Sequence, residues 1–172
     1  MKNHLKTAFA AIAMTVVSIA GASAQDVANN TPFGDWRVSC DAVSVSQTFC
    51  QLVQQQTVLD TNELAGRFAA FPAQNGGAIL LAQVPIGVYL PGGAVFRLDD
   101  KDATPQQEMV WQRCLGPICE AAILLDEATV SQMSSSGAML FGYRMDSDAE
   151  PIVLRVNLNR FGEGIEALRG AQ

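Results

Sequence analysis

Two runs decide the fold: PIGVYLPGGAVFRLDD over residues 85–100 and MVWQRCLGPICEAAILLD over residues 109–126. In the second, Cys114 and Cys119 enclose Leu115-Gly116-Pro117-Ile118, and Gly116 and Pro117 are turn formers. A hairpin with that four-residue loop brings the cysteines face to face, at a separation a disulfide bridges. A regular ladder then sets Arg113 opposite Glu120, Gln112 opposite Ala121, Trp111 opposite Ala122 and Val110 opposite Ile123. Arg113 and Glu120 become an opposite-charge cross-strand pair, which supports the register. In the first run a strand ends at Leu90, and Pro91-Gly92-Gly93 fits a type II turn. Such a turn splays strands, so the sequence leaves open whether this is a hairpin or a corner.

Outward from these runs the pattern stays β-like. Phe33, Trp36 and Val38 supply β-favouring bulk in a strand ending at Cys40, and Cys50 opens the next one. Leu64–Phe71 suits a strand or a short helix, Asn75-Gly76-Gly77 a turn, and Ala78–Val84 an apolar strand. Asp126 is placed to cap a short helix over Glu127–Met133. Ala138–Met145 reads as a strand with Met139, Phe141 and Tyr143 on one face. Ile152–Leu158 alternates with Ile152, Leu154, Val156 and Leu158 on a dry side, and Ile165 and Leu168 suggest a terminal helix. Seven or more short strands with regular turn signals predict a mainly β chain. The expected architecture is an antiparallel β-sandwich or partly closed barrel with one or two short helices.

The first 24 residues read as a signal peptide. Lys2 and Lys6 precede the apolar run Ala8–Ala20, which is too short for a membrane anchor, and Ala22-Ser23-Ala24 suits cleavage before Gln25. A polar leader, residues 25–32, then precedes a single domain over 33–169. The 172 residues less the 24 of the signal leave 148. Lys+Arg falls from 11 to 9 against 17 acids, taking the net charge from −6 to −8. That surface repels nucleic acid and anionic lipid, and no transmembrane segment is expected after signal cleavage. His4, the sole histidine, leaves with the signal. A mature chain without histidine has no Ser-His-Asp or Cys-His mechanism and no imidazole metal ligand.

Four cysteines in an exported chain read as two disulfides. Of the three connectivities, the local one, Cys40–Cys50 and Cys114–Cys119, matches the two chain reversals. Each bond stabilises by roughly 2–3 kcal/mol on the loop-entropy model. A redox role for Cys114 and Cys119 fits poorly, because such pairs enclose two residues at a helix start. Asp146-x-Asp148-x-Glu150 begins like a calcium loop, but Pro151 and Asn157 stand where Gly and Glu are required. Asp99, Asp100 and Asp102 form an acidic loop that meets the same objection. No catalytic, cofactor-binding or metal residue is assigned. Trp36 and Trp111 read as core, and Leu115 and Ile118 at the hairpin tip, with Leu90 beside the other turn, are candidate contact residues.

FGDWRVSC, PIGVYLPGG followed by FRLDD, WQRCLGPICEA, GAMLFGYRM and EPIVLRVNLNRFGEGIEAL, in that order, resemble the invasion-associated locus B family. The likeness runs from about Phe33 to Leu168. Its most specific parts are Gly87–Gly93 with Asp99, and Arg113, Cys114, Cys119 and Ala121. The chain departs from the family at Ile118, where Gly is common, and at Arg160-Phe161, where Gly-Phe is common. The resemblance implies an exported alphaproteobacterial protein with structural cysteines at 40, 50, 114 and 119, no recognised catalytic residues, and a family name drawn from entry of a pathogen into red blood cells. The expected function is a periplasmic or secreted binding protein without turnover or cofactor, whose partner is an envelope component or a host surface protein. The alternatives are a carboxylate-based hydrolase of glycan or peptidoglycan, and a periplasmic folding or envelope-stress helper.

Overall fold

The computed structural model describes residues 27–74, 76–99 and 105–171. The expected signal peptide and its cleavage point, Asn75 of the predicted turn, and Asp100 and Asp102 of the acidic loop lie outside the described residues. Ten strands form one antiparallel sheet that curls into a half-barrel, so of the two predicted architectures the partly closed barrel is found. In chain order these are β1 (Pro32–Phe33), β2 (Trp36–Ser44), β3 (Gln47–Thr57), β4 (Leu64–Pro72), β5 (Ala78–Pro85), β6 (Ala94–Leu98), β7 (Gln107–Leu115), β8 (Ile118–Leu125), β9 (Ala138–Tyr143) and β10 (Ile152–Asn157). The sheet order is β1-β2-β3-β4-β5-β8-β7-β6-β9-β10. Two helices, α1 (Glu127–Ser135) and α2 (Phe161–Arg169), complete the chain.

Alternation explains the core. β5 buries Ala78, Leu80, Ala82 and Val84 and turns Ile79, Leu81, Gln83 and Pro85 outward, the period of a strand with one dry face. The concave face is filled by the fully buried rings of Trp36, Phe68, Phe96, Phe141 and Phe161. Phe68 meets Phe141 edge-on at 5.4 Å, and Trp36 meets Phe161 at 5.1 Å. α2 closes one end by burying Phe161, Ile165 and Leu168. Gly164 lets it approach β3, because a Cβ there would sit 2.6 Å from Leu52 Cδ1. The predicted cap of α1 forms: Thr129 N–H donates to Asp126 at 2.7 Å, and the Thr129 hydroxyl together with this N–H holds that carboxyl below its usual range.

Both cysteine pairs are local and occupy directly opposed positions, with Cα atoms 4.0 Å apart for Cys40–Cys50 and 3.9 Å for Cys114–Cys119. Cys40 and Cys50 do not bound their strands: β2 runs on to Ser44 and β3 starts at Gln47, so the bond staples the middle of a hairpin.

The β7–β8 register needs one correction. Cys114 faces Cys119 and Arg113 faces Glu120, but Trp111 faces Ala121 and Val110 faces Ala122. Gln112 is an extra residue, a β-bulge, whose Nε2 donates back to the Val110 carbonyl at 3.1 Å. A regular ladder would put Trp111 on the same face as Arg113. The bulge turns its ring toward the core and sends Val110 outward, 65% exposed. The loop is also shorter than predicted: Leu115 pairs with Ile118, leaving Gly116-Pro117, and Gly116 has the positive φ (+56°) that two-residue hairpin turns require.

The first run is a corner. Its strand ends at Pro85 rather than Leu90, because β5 pairs with β8 and β6 lies two strands further on. The connection crosses the tip of the β7–β8 hairpin and ends in one 3₁₀ turn, Leu90–Gly92. On β10 the predicted dry side is dry only at its C-terminal end: Val156 and Leu158 are buried, whereas Ile152 is 37% exposed.

Candidate functional site

The chain's directions set what each end of the half-barrel carries. β8 runs from the hairpin tip to α1, and β9 runs back from α1 to Tyr143. Both helices therefore lie at one end and the hairpin tip at the other. Two backbone bonds gather loops at the tip end. Ile86 N–H donates to the Pro117 carbonyl, and Tyr89 N–H donates to the Arg144 carbonyl, each at 2.8 Å. The two candidate contact points read from separate stretches are thereby brought to one end of the fold.

That end carries several exposed apolar side chains, next to the charged loop of Arg144, Asp146, Asp148 and Glu150. Leu115 is 71% exposed, Ile86 57%, Leu90 49% and Met145 42%, and Ile118 is half-buried beside them. Exposed leucines are ordinary singly, but four large apolar side chains on adjoining loops form a patch of the kind that marks contact surfaces. Ile86 and Met145 had no signal of their own in the sequence. They join the site only because the corner crosses the hairpin tip and β9 ends beside it.

A polar ladder borders the patch on the convex face. Arg67, Gln83, Glu120 and Arg113 stand in register on β4, β5, β8 and β7. Arg67 donates to Gln83 Oε1 at 2.8 Å, Gln83 donates to Glu120 Oε2 at 2.6 Å, and Arg113 Nε lies 3.6 Å from Glu120 Oε1. These contacts fix Glu120 at the foot of the hairpin. The Cys114–Cys119 bond locks the next rung, so the tip is held from both sides.

Two hollows lie at the helix end. One, of about 740 Å³, is lined by apolar side chains including Phe49, Phe71, Ile79, Leu124 and Leu168, and by no charged residue. The other, of about 510 Å³ between α1 and α2, carries Glu127, Glu163 and Glu166. Two of these carboxylates are tied to arginines: Glu163 to Arg160 at 2.9 Å and Glu166 to Arg169 at 2.5 Å. Among the described residues, no group of three or more His, Cys, Asp or Glu is placed to hold a metal ion, and no helix is long and apolar enough to cross a membrane. The two tryptophans lie with the core: Trp36 is 1% exposed, and Trp111 packs partly buried against it.

No curated protein matches the chain in sequence. Among solved structures, the crystal structure of invasion associated protein B from Bartonella henselae matches with a TM-score of 0.70. The match covers 81% of this chain and 93% of that one at 18% identity, so it speaks for the fold alone. The family model for the invasion associated locus B (IalB) protein matches residues 36–169, from the first buried tryptophan of β2 to the last residue of α2, and the chain belongs to that family.

Proposed function

We propose that this is an exported binding protein that works without turnover, in the periplasm or outside the cell, and that its partner sits on the apolar tip end. The observation that carries the reading is the gathering of Ile86, Leu90, Leu115 and Met145, all exposed, on loops pinned together by backbone bonds and a disulfide. Two disulfides and a signal-like start support export. The partner is an envelope component or a host surface protein whose contacting face is neutral or apolar, since a chain with this excess of acids repels anionic surfaces.

The test substitutes Leu115→Ser and Leu115→Ser/Ile118→Ser and measures thermal melting together with crosslinking in intact cells, read by mass spectrometry. Leu115 is mostly in solvent, so its single substitution changes stability by no more than about 0.5 kcal/mol. Crosslinked partners disappear while the melting temperature holds. Retention of the same partners by the double variant refutes the tip as the contact surface.

The helix groove supports a second reading, a carboxylate-based hydrolase of glycan or peptidoglycan, because it collects three glutamates. Turnover of peptidoglycan that is lost in Glu127→Gln would establish it. No turnover by the parent protein rejects it.

A further inference from the structure

The two ends of the curled sheet meet along a seam built from side chains rather than a backbone ladder. β10 pairs with β9 on one edge. Leu158 N–H, which shares the parity of Ile152, Leu154 and Val156, bonds to Gly137 on that side. Val153, Arg155 and Asn157 therefore turn their backbone groups to the open edge, and such an edge is a template for another strand. Three side chains from β2 and β3 occupy it. Gln56 Nε2 donates to the Arg155 carbonyl at 2.6 Å. Trp36 Nε1 and Gln54 Nε2 donate to the Asn157 carbonyl at 2.8 and 3.4 Å.

A glutamine amide is a peptide group on a stalk, and alternate positions of a strand project on one face. Gln54 and Gln56 thus offer β10 donors at the two-residue repeat a neighbouring strand would use. Gln54 is only 6% exposed, and its Oε1 has no donor. A buried acceptor left unpaired is destabilising, and an apolar side chain of similar size would avoid that. What the amide adds at this position is its bond to β10.

We propose that Gln54, Gln56 and Trp36 form an edge guard, which keeps a second copy of this chain from adding its own β10 to the open edge. The edge is self-complementary. In an antiparallel two-fold pair centred on Leu154, Val153 of each copy bonds to Arg155 of the other, which keeps the two arginines apart. The same pairing lays the exposed Val153 of each copy along the aliphatic stem of the other copy's Arg155. This inference is independent of where the partner of the proposed binding function sits.

The test compares the parent with Gln56→Ala and with Gln54→Ala/Gln56→Ala. Light scattering over a concentration series reads mass, and a melt of each variant reads folding. Both variants self-associate more strongly than the parent, the double one by roughly tenfold or more, as expected when two capping hydrogen bonds no longer compete. Adding Val153→Pro to the double variant restores the parent's mass. That substitution removes an N–H facing the open edge, which β9 does not use, and proline is tolerated on edge strands. A folded double variant with the parent's mass at every concentration overturns the proposal, as does association that survives Val153→Pro. If the double variant fails to fold, Gln56→Ala with and without Val153→Pro decides on the same readout.

Discussion

Deleting Gln112 tests the bulge that orients β7. Residues are ordinarily not deleted from a strand without harm, because a one-residue shift turns every following side chain to the other face. Here the register already counts Gln112 as surplus: Arg113 faces Glu120, and Trp111 faces Ala121. Without Gln112 the strand becomes a regular ladder with the same partners. Trp111 stays against the core, Met109 stays opposite Ala94 of β6, and Arg113 stays outside. The expected cost is below about 1 kcal/mol, a fall in melting temperature of roughly 2–4 °C. Had Gln112 been part of a regular ladder, its loss would turn Met109, now 3% exposed, into solvent along with the inner side of Trp111. Each exposure would cost about 1.5–3 kcal/mol, for a total near 3–6. Urea titration followed by tryptophan emission separates the two cases, since one of only two tryptophans reports the strand directly. A loss above about 3 kcal/mol, or red-shifted emission in the folded variant, refutes the bulge assignment.

Gly164→Ala places a Cβ 2.6 Å from Leu52 Cδ1 in a filled core, and urea unfolding should show a loss of about 1–3 kcal/mol from overpacking. Burial raises the Tyr143 phenol above its usual value, so the folded state holds it neutral after the unfolded chain has begun to ionise. Its contribution is therefore full below about pH 10 and is lost as pH rises toward the folded value, and Tyr143→Phe should flatten the alkaline fall in urea stability that sets in near pH 10. A double-mutant cycle on Arg113 and Glu120, 3.6 Å apart with the arginine side chain 65% exposed, should give coupling below about 0.5 kcal/mol. The cycle on Gln83 and Glu120, joined at 2.6 Å, should give about 1 kcal/mol; a larger value for the arginine pair would contradict the geometry.

What the sequence disclosed followed from local chemistry. Gly116-Pro117 between two cysteines specified a reversal, and the charge pair Arg113/Glu120 fixed the rungs nearest the turn. Asp126 before a short helical run specified a cap, and the strict alternation of β5 specified which of its residues are inside. What it withheld depends on partners distant in the chain. Gln112 has no signature as a bulge, because glutamine suits a regular exposed strand position equally well. The corner after Pro85 looked like a strand because Val88, Tyr89 and Leu90 favour β structure. It is not one because β8 already occupies the neighbouring edge of β5 and the connection must cross the hairpin tip. The candidate contact residues divide in the same way. Leu115 and Leu90 were visible as apolar side chains beside turns, whereas Ile86 and Met145 became part of the site only through long-range pairing.

The tip end differs from the helix end in how it is made rigid. At the helix end, α2 buries Phe161, Ile165 and Leu168, while an apolar hollow and the exposed Val43 and Val45 of the β2–β3 turn stay uncovered. At the tip, among the described residues, the only helical turn is Leu90–Gly92, which buries none of its residues, and the loops are held by backbone bonds, a disulfide and the turn geometry of Gly116. Such restraints fix the backbone without covering side chains, so Leu115 and Ile86 remain in solvent on a framework that does not need to order itself on contact. Association loses less conformational freedom when the contacting loops are already fixed. If the binding reading holds, reducing the Cys114–Cys119 bond should weaken partner capture before it unfolds the sheet, because the β5–β8 ladder that anchors the hairpin's base does not depend on that bond.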